Sequence, residues 1–568
     1  MGPTAVPEEQ EQTQKDIKKV SAAIYYHPDG FDTSKPKLMG RQAAGESFLK
    51  AYARYGEADV YYCYTQTKGH YEHFKQQIQG IRDLQASWIP TLDHPRLAEP
   101  GCLFLPGPGL SQHAWLRRYG NPKAYSLCGI THTTASDRVM DAVGELLTAP
   151  VQPWDAVICT SQSAKTMVEK LLHWQHEYLC ERLGAPIPAS FVQLPVIPLG
   201  VDCHAFTANE KTQVARQKWR EQLTIRNEDV VVLFVGRLAF HAKAHPLPLY
   251  LALEQAAQQT GKKLHLLMSG WFANKTIQKE FTEGARLYCP SVNVVFVEGR
   301  HPEVRSTIWY AADIFTSLSD NIQETFGITP VEAMAAGLPA VVTDWDGYRE
   351  SVVHGVTGFT VPTLMPEPGH GQDLALRYAM SIDNYDQYVG QVSQTTAVDV
   401  ATTTNAFVTL ITDPALRQKM GEAGRQHALK HFDWPVVITQ YQNLWRQLAE
   451  IRQDASVIAP RKSDQPVHPL RHDPYHVFSH YATRPIHTNT LITLTDGVSA
   501  ETFGQRVSLA MNRMLQPELS SAQCQQVLAF IQQQGRCRVS DIQSQPFIKD
   551  KSIAKTIAWL AKLGLIQV

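Results

Sequence analysis

Two glutamates separated by seven residues, Glu324 and Glu332 in Glu324-Thr-Phe-Gly-Ile-Thr-Pro-Val-Glu332, are the first candidates for chemistry. Paired carboxylates work as acid and base when they flank one bond, and as a grip when they hold two ends of a longer ligand. Thr329-Pro330-Val331-Glu332 also has the composition of a helix start, with Thr329 at the N-cap, Pro330 at N1 and Glu332 completing a capping box. Gly327 and its neighbours precede that helix, so their backbone N–H groups and the positive end of the helix dipole form an anion site suited to a phosphate-bearing ligand. Glu324 falls upstream, on a strand-to-helix loop at the carboxyl edge of a parallel strand, where open α/β sheets hold their ligands.

Such loops need sheets to hold them. From about residue 20 the chain alternates β-branched or aromatic runs with amphipathic ones: VSAAIYYHP, then AAGESFLKAYARYG, then ADVYYCYT. A second series is cleaner: DVVVLFVG (229–236), KLHLLMSG (263–270), VNVVFVEG (292–299), ADIFTSLS (312–319) and PAVVTD (339–344). Continuous apolar runs of this kind read as parallel strands buried on both faces. QLPVIPLGVDCHAF (193–206) interrupts the pattern and marks the main boundary. The expected organisation is a disordered segment over 1–19, an N-terminal Rossmann-like domain over 20–200 and a C-terminal Rossmann-like domain over 201–432. A helix over 433–455 follows, capped by Asp433 with Pro435 in its first turn, and crosses back to the first domain. A linker or docking segment fills 456–514, and 515–568 reads as a winged-helix-like module: helix, basic turn GRCRVS, short helix, longer helix and a final β-like LGLIQV.

At 568 residues the chain exceeds one ordinary core, and 53 basic against 54 acidic side chains leave no field that points to nucleic acid or an anionic membrane. The nine cysteines are scattered without a CxxC pair, which fits a reducing, cytoplasmic setting rather than a disulfide framework or a zinc site. No stretch has the length of a membrane span, so membrane contact is expected to be peripheral at most.

The Glu324–Glu332 stretch, with AMAAGLPAVVTD after it and GYRESVVHGVTGFTVP at 347–362, resembles the E-x7-E signature of retaining glycosyltransferases of family 4. The resemblance covers roughly residues 20–450 and is strongest from 229 to 362. It implies a GT-B fold of two facing Rossmann-like domains and transfer of a sugar from a nucleoside diphosphate, UDP or GDP, to a carbohydrate, lipid-linked or small-molecule hydroxyl. It also implies that Glu324 meets hydroxyls of the donor sugar and Glu332 the ribose, with Thr325, Phe326 and Gly327 lining the donor site. VGRLAFHAKAHP (235–246) brings Gly236, Arg237 and Lys243 to a strand end, where two cations suit a leaving diphosphate; one such contact is worth about 3 kcal/mol. Family members carry the lysine one residue closer to the arginine.

His132, in CGITHTTASDR, is similar to the family histidine that touches the donor sugar across the cleft. KLMGRQAAGESF (37–48) places Gly40, Arg41 and Gly45 in what reads as a loop facing the cleft, and the resemblance implies that this loop lies near the diphosphate and acceptor. Asp344-Trp-Asp346 has the form of a DxD metal motif but matches a strand-turn of this family, so no metal or other cofactor is expected. Five histidines, His468, His472, His476, His480 and His487, lie in a segment broken by Pro474 and Pro485 and read as linker. No residue identifies itself as a general base; the resemblance implies a front-face route in which a leaving phosphate oxygen takes the acceptor proton. The alternatives are a phosphorylase or sugar-nucleotide epimerase on the same fold, and a non-catalytic nucleotide-sugar sensor. In the last case the terminal module signals to a protein partner or a second copy.

Overall fold

A computed structural model of the chain describes residues 21–33, 40–82, 84–189, 191–207, 209–514, 519–548 and 553–568; the expectation for residues 1–19 lies outside them. The chain forms two compact units, one ending at Val467 and one spanning His468–Val568.

The first unit holds two six-stranded parallel sheets. One consists of β1 (Ala23–Tyr25), β2 (Val60–Thr65), β3 (Gln85–Pro90), β4 (Cys102–Phe104), β5 (Ser126–Ile130) and β6 (Ala156–Ile158), in the order β3-β2-β1-β4-β5-β6. The other consists of β7 (Val230–Val235), β8 (Leu264–Gly270), β9 (Val292–Glu298), β10 (Ile314–Ser317), β11 (Ala340–Thr343) and β12 (Gly358–Val361), in the order β9-β8-β7-β10-β11-β12. Both repeat the doubly wound 3-2-1-4-5-6 order, so each sheet reverses direction between its first and fourth strands and opens a ligand crevice there. This is the paired Rossmann-like architecture of the GT-B fold. A short antiparallel pair, β13 (Thr363–Leu364) and β14 (Ala397–Val398), flanks the second sheet.

Polar groups pin the sheets as firmly as the apolar runs do. In the first domain Arg117 makes a bidentate bond of 2.6 Å to each oxygen of buried Asp155, which also accepts from Leu127 N and Gln152 N. With every lone pair directed at a donor, this buried pair avoids the desolvation penalty that makes isolated buried charges unfavourable.

The chain crosses between the domains twice, and the crossings lie side by side: Val201 N donates to Phe432 O at 2.8 Å and Trp434 N to Val201 O at 3.1 Å. The returning helix Trp434–Asp454 buries Val437, Ile438, Tyr441, Leu444, Trp445 and Leu448 in the core of the first domain. Trp434 also donates through Nε1 to Ser47 Oγ at 2.8 Å. Asp433, expected as the cap of this helix, makes no capping bond; its carboxylate accepts instead from Cys203 N at 3.1 Å and so fastens the outgoing crossing.

The second unit begins at 468, not at 515, because the strand Leu491–Leu494 (β15) lies at the centre of its sheet. β15 pairs antiparallel with β16 (Arg536–Arg538) and β17 (Ile566–Gln567), and Ile492 and Phe503 share one core with Val527, Ile531, Ile557 and Leu560. Within GRCRVS, expected as a turn, Arg536–Arg538 form strand β16 and Val539 and Ser540 open the helix Val539–Gln543.

Candidate functional site

At the switch point of the second sheet, the loop after β7 carries Gly236, Arg237 and Lys243, and the loop after the adjacent β10 carries Glu324 through Gly327. Side-chain bonds knit the two loops together. Gln323 Nε2 donates to Ala242 O and Asn321 Nδ2 to His241 O, each at 2.9 Å, while Arg237 Nη2 donates to Ala242 O at 3.2 Å within the first loop.

The Lys243 ammonium bonds directly to the Glu324 carboxylate, with both side chains only 17–18% exposed. Burial alone would raise the Glu324 carboxyl, but Lys243 and the N–H groups of Thr325 and Phe326 hold it below the usual range. Lys243 in turn has its ammonium form stabilised by Glu324 and Tyr348 against the effect of burial. Tyr348 completes the cluster: its hydroxyl shares a 2.8 Å bond with Ser317 Oγ, and its ring lies 6.0 Å from the Lys243 ammonium.

The helix that follows begins at Ile328 with Gly327 as its N-cap, at φ 81° and with no side-chain cap. The expected Thr329 cap and capping box do not form: Thr329 lies inside the helix, its Oγ1 buried without a hydrogen-bond partner among the described residues. A left-handed glycine makes the turn two residues earlier and leaves the first N–H groups without a side-chain partner. Glu332 therefore sits in the second turn, half-buried, where desolvation raises its carboxyl to about 7 against the opposing fields of Arg305 and Lys243. The Phe326 side chain is buried against Phe432, so only its backbone faces the Glu324 carboxylate.

From the first domain, His132 and Gly45 line a cavity of about 30 Å³, roughly one water, together with Phe31, Phe104, Trp434 and Tyr441. Gly40 and Gly45 do not lie in a loop: Gly40–Tyr55 is a helix, and a Cβ on Gly45 would fall 2.2 Å from Gly30 O, so the glycine allows a close crossing. The small, helix-favouring Gln-Ala-Ala-Gly-Glu-Ser run explains the difference. The side chain of Arg41 lies outside the described residues.

The two domains touch around these loops. Thr160 Oγ1 donates to Thr325 O at 3.2 Å, and Ser161 Oγ to Asp346 Oδ1 at 3.1 Å. Glu350 accepts from Gln162 N and Ser163 N at the start of the helix Gln162–Leu183. Beside His132, Thr133 Oγ1 bonds Tyr385 Oη at 3.3 Å and Asp137 N donates to Tyr378 Oη at 2.9 Å. The two acids of the Asp344-Trp-Asp346 turn part company, Asp344 pairing with Arg349 at 3.1 Å while Asp346 reaches the first domain. Among the described residues no group of three or more His, Cys, Asp or Glu side chains is placed to hold a metal ion. None of their helices is long and apolar enough to cross a membrane. Sequence reasoning singled out none of Ser161, Tyr348 and Glu350, although the last two lie in the GYRESVVHGVTGFTVP stretch that carried part of the resemblance.

Residues 215–367 match the family Glycosyl transferases group 1, a segment that contains Arg237, Lys243, Glu324 and Glu332. A D-inositol 3-phosphate glycosyltransferase of Corynebacterium efficiens is 24% identical over 273 residues, 48% of this chain and 54% of that protein. One from Nocardia farcinica is 27% identical over 171 residues, 30% of this chain and 36% of that protein. The chain thus spans about half or less of the length of these curated relatives. Among solved structures, HepE of Anabaena in complex with UDP is 17% identical, covers 76% of this chain and 100% of that chain, and has a TM-score of 0.47. Sucrose-phosphate synthase of Thermosynechococcus elongatus is 17% identical, covers 76% and 99%, and has a TM-score of 0.46.

Proposed function

We propose that this protein is a retaining glycosyltransferase that moves a sugar from a nucleoside diphosphate, UDP or GDP, to an acceptor hydroxyl. The observation that carries the reading is the Glu324–Lys243 pair at the switch point of the second sheet, beside a helix whose first N–H groups have no side-chain cap. The match of residues 215–367 to the group 1 glycosyltransferases supports it from an independent direction.

In this reading the diphosphate takes up Lys243 and Arg237, with the N–H groups beyond Gly236 and Gly327 as further donors. Negative charge grows on the leaving oxygen as the glycosidic bond breaks, and preorganised cations there act where they are worth most. Release of Lys243 to the diphosphate frees Glu324 for hydroxyls of the donor sugar, while Glu332 takes the ribose. His132 approaches the sugar from the first domain. The chemistry asks for no metal, because the cations and the helix dipole meet the charge.

Thermal unfolding of the full chain with millimolar UDP, GDP, ADP and CDP, and then with their sugars, tests the reading. Ligand at about a hundred times its dissociation constant adds roughly 2.7 kcal/mol to the domain that binds it. A shift of a few degrees with one base names the donor class, and an acceptor screen that includes inositol phosphates follows. Glu324→Ala is expected to abolish transfer; unchanged turnover would remove the residue from its assigned role.

A further inference from the structure

A groove of about 460 Å³, open to solvent, lies on the second domain between the loop after β7 and the helix Tyr385–Gln394. That volume falls within the range of about 300–1,000 Å³ typical of small-molecule sites. The helix is fastened from its buried side: Ser393 Oγ donates to Asp320 Oδ1 at 3.0 Å, and Asn321 Nδ2 reaches both Val389 O at 3.4 Å and His241 O at 2.9 Å. Gly390 lets helix and loop close up, since a Cβ there would fall 3.0 Å from His241 Cβ. Another face of the helix lines the groove with the carboxylate of Asp386 and the amides of Gln387, Gln391 and Gln394. From the loop come Phe240 and His241, their rings 5.4 Å apart and at 78° to one another.

The lining selects a ligand by its chemistry. Among the described residues that line the groove there is one carboxylate and no lysine or arginine, which suits neither a phosphate nor a divalent cation. A neutral ligand rich in hydroxyls fits, because amides donate and accept as hydroxyls do, and a phenyl ring offers an apolar face to the C–H side of a sugar ring. Two of the amides are already set in complementary senses. Gln387 Oε1 accepts from Asn384 N at 2.9 Å, which leaves its –NH2 to donate, and Gln391 Nε2 donates to Asp383 Oδ2 at 2.9 Å, which leaves its carbonyl to accept. Groups held in place before the ligand arrives lose little freedom on binding it.

We propose that this groove binds a neutral glycan chain, the part of a carbohydrate acceptor remote from its reacting hydroxyl. Its use by an acceptor rests on the glycosyltransferase reading; its affinity for glycan does not. The groove adjoins the donor site on two sides. His241 stands two residues before Lys243 on the same loop, and Tyr385, the first residue of the helix, bonds Thr133 beside His132. A helix of ten residues is about 15 Å long, so a chain of a few sugar units laid along it runs from the edge of the cleft into the groove. Holding the remote end raises the effective concentration of the reacting end, and so favours a polymeric acceptor over a single sugar.

Isothermal titration of the full chain with maltohexaose, cellohexaose, mannohexaose and chitohexaose at millimolar concentration, with and without saturating UDP, tests the proposal. Gln394→Trp fills the groove and Asp386→Ala removes its carboxylate; both side chains are exposed, and melting midpoints within about two degrees of the parent report an intact fold. At least one hexasaccharide is expected to bind, UDP present or not, and each variant to bind it at least about tenfold more weakly, the equivalent of one or two lost hydrogen bonds. A parent that binds none of the four, or variants that bind as the parent does, would overturn the assignment. A parent that binds hexasaccharide through the groove but no nucleoside diphosphate refutes the glycosyltransferase reading and leaves the glycan site standing, so the two failures are distinguishable.

Discussion

The ring of Tyr348 occupies the space that any side chain on Gly327 would need: an ideal Cβ there lies 1.8 Å from Tyr348 Cε1. Because Gly327 is also left-handed, Gly327→Ala meets both a steric and a backbone penalty, together about 3 kcal/mol or more. Differential scanning calorimetry is expected to show a midpoint lower by roughly ten degrees, with nucleoside diphosphate binding weakened as the helix start shifts. An alanine variant that melts with the parent would show that the turn can rearrange freely.

Lys243→Met leaves Glu324 buried without its counter-charge, a change that typically lowers stability by about 3–5 kcal/mol. Adding Glu324→Gln removes the stranded charge, so the double variant is expected to be more stable than Lys243→Met alone. Denaturant unfolding of the four-member cycle measures this coupling, and simple additivity would contradict it.

Among the described residues three carboxyls keep their protons to unusually high pH: burial takes Asp320 and Glu332 to about 7 and Asp346 to about 8. Between about pH 4 and those values the folded state binds more protons than the unfolded one. Their contribution to stability is therefore full in acid and is lost as pH rises to about 8. Glu324 has the opposite sign, its contribution present above the ordinary carboxylate range and lost in acid. Melting midpoints measured at pH 5.5, 7 and 8.5 are expected to fall across the series, and Asp320→Asn to flatten part of that fall. Asp320 is bonded to Ser393 Oγ and His245 N, well away from solvent, which makes it the cleanest of the three to replace.

Glu350 lies at the surface yet bonds to the helix start at Gln162 and Ser163 in the other domain. Glu350→Lys sets a cation against that positive helix end and is expected to open the pair of domains, with stability changed by no more than about 1 kcal/mol. Small-angle scattering would report a larger radius of gyration, and an unchanged one would show that the remaining cross-domain bonds suffice.

The second sheet was legible because its strands are buried on both faces: 229–236, 263–270, 292–299, 312–319 and 339–344 each enclose an observed strand. β12, the four residues GFTV, was not separately read. The first turns of the helix Gly40–Tyr55 were read as a loop because Gly40 and Gly45 outweighed the alanines between them, while AAGESFLKAYARYG was rightly read as an amphipathic run. β15 was lost in a polar stretch rich in proline and histidine, its four residues too few to show a period. Asp346 matched a metal motif by spacing, but its meaning depends on Ser161, 185 positions away, and only folding brings the two together. Local pattern therefore revealed what each loop could bind, and tertiary contact decided what it touches.

The returning helix also sets the order in which the chain can mature as it is made. The core of the first domain lacks Trp434, Tyr441, Trp445 and Leu448 until translation has passed residue 448, by which point every strand of the second sheet has already left the ribosome. A domain that starts first thus finishes last, and its exposed Phe48, Phe104 and Tyr52 need shielding for the whole of that interval.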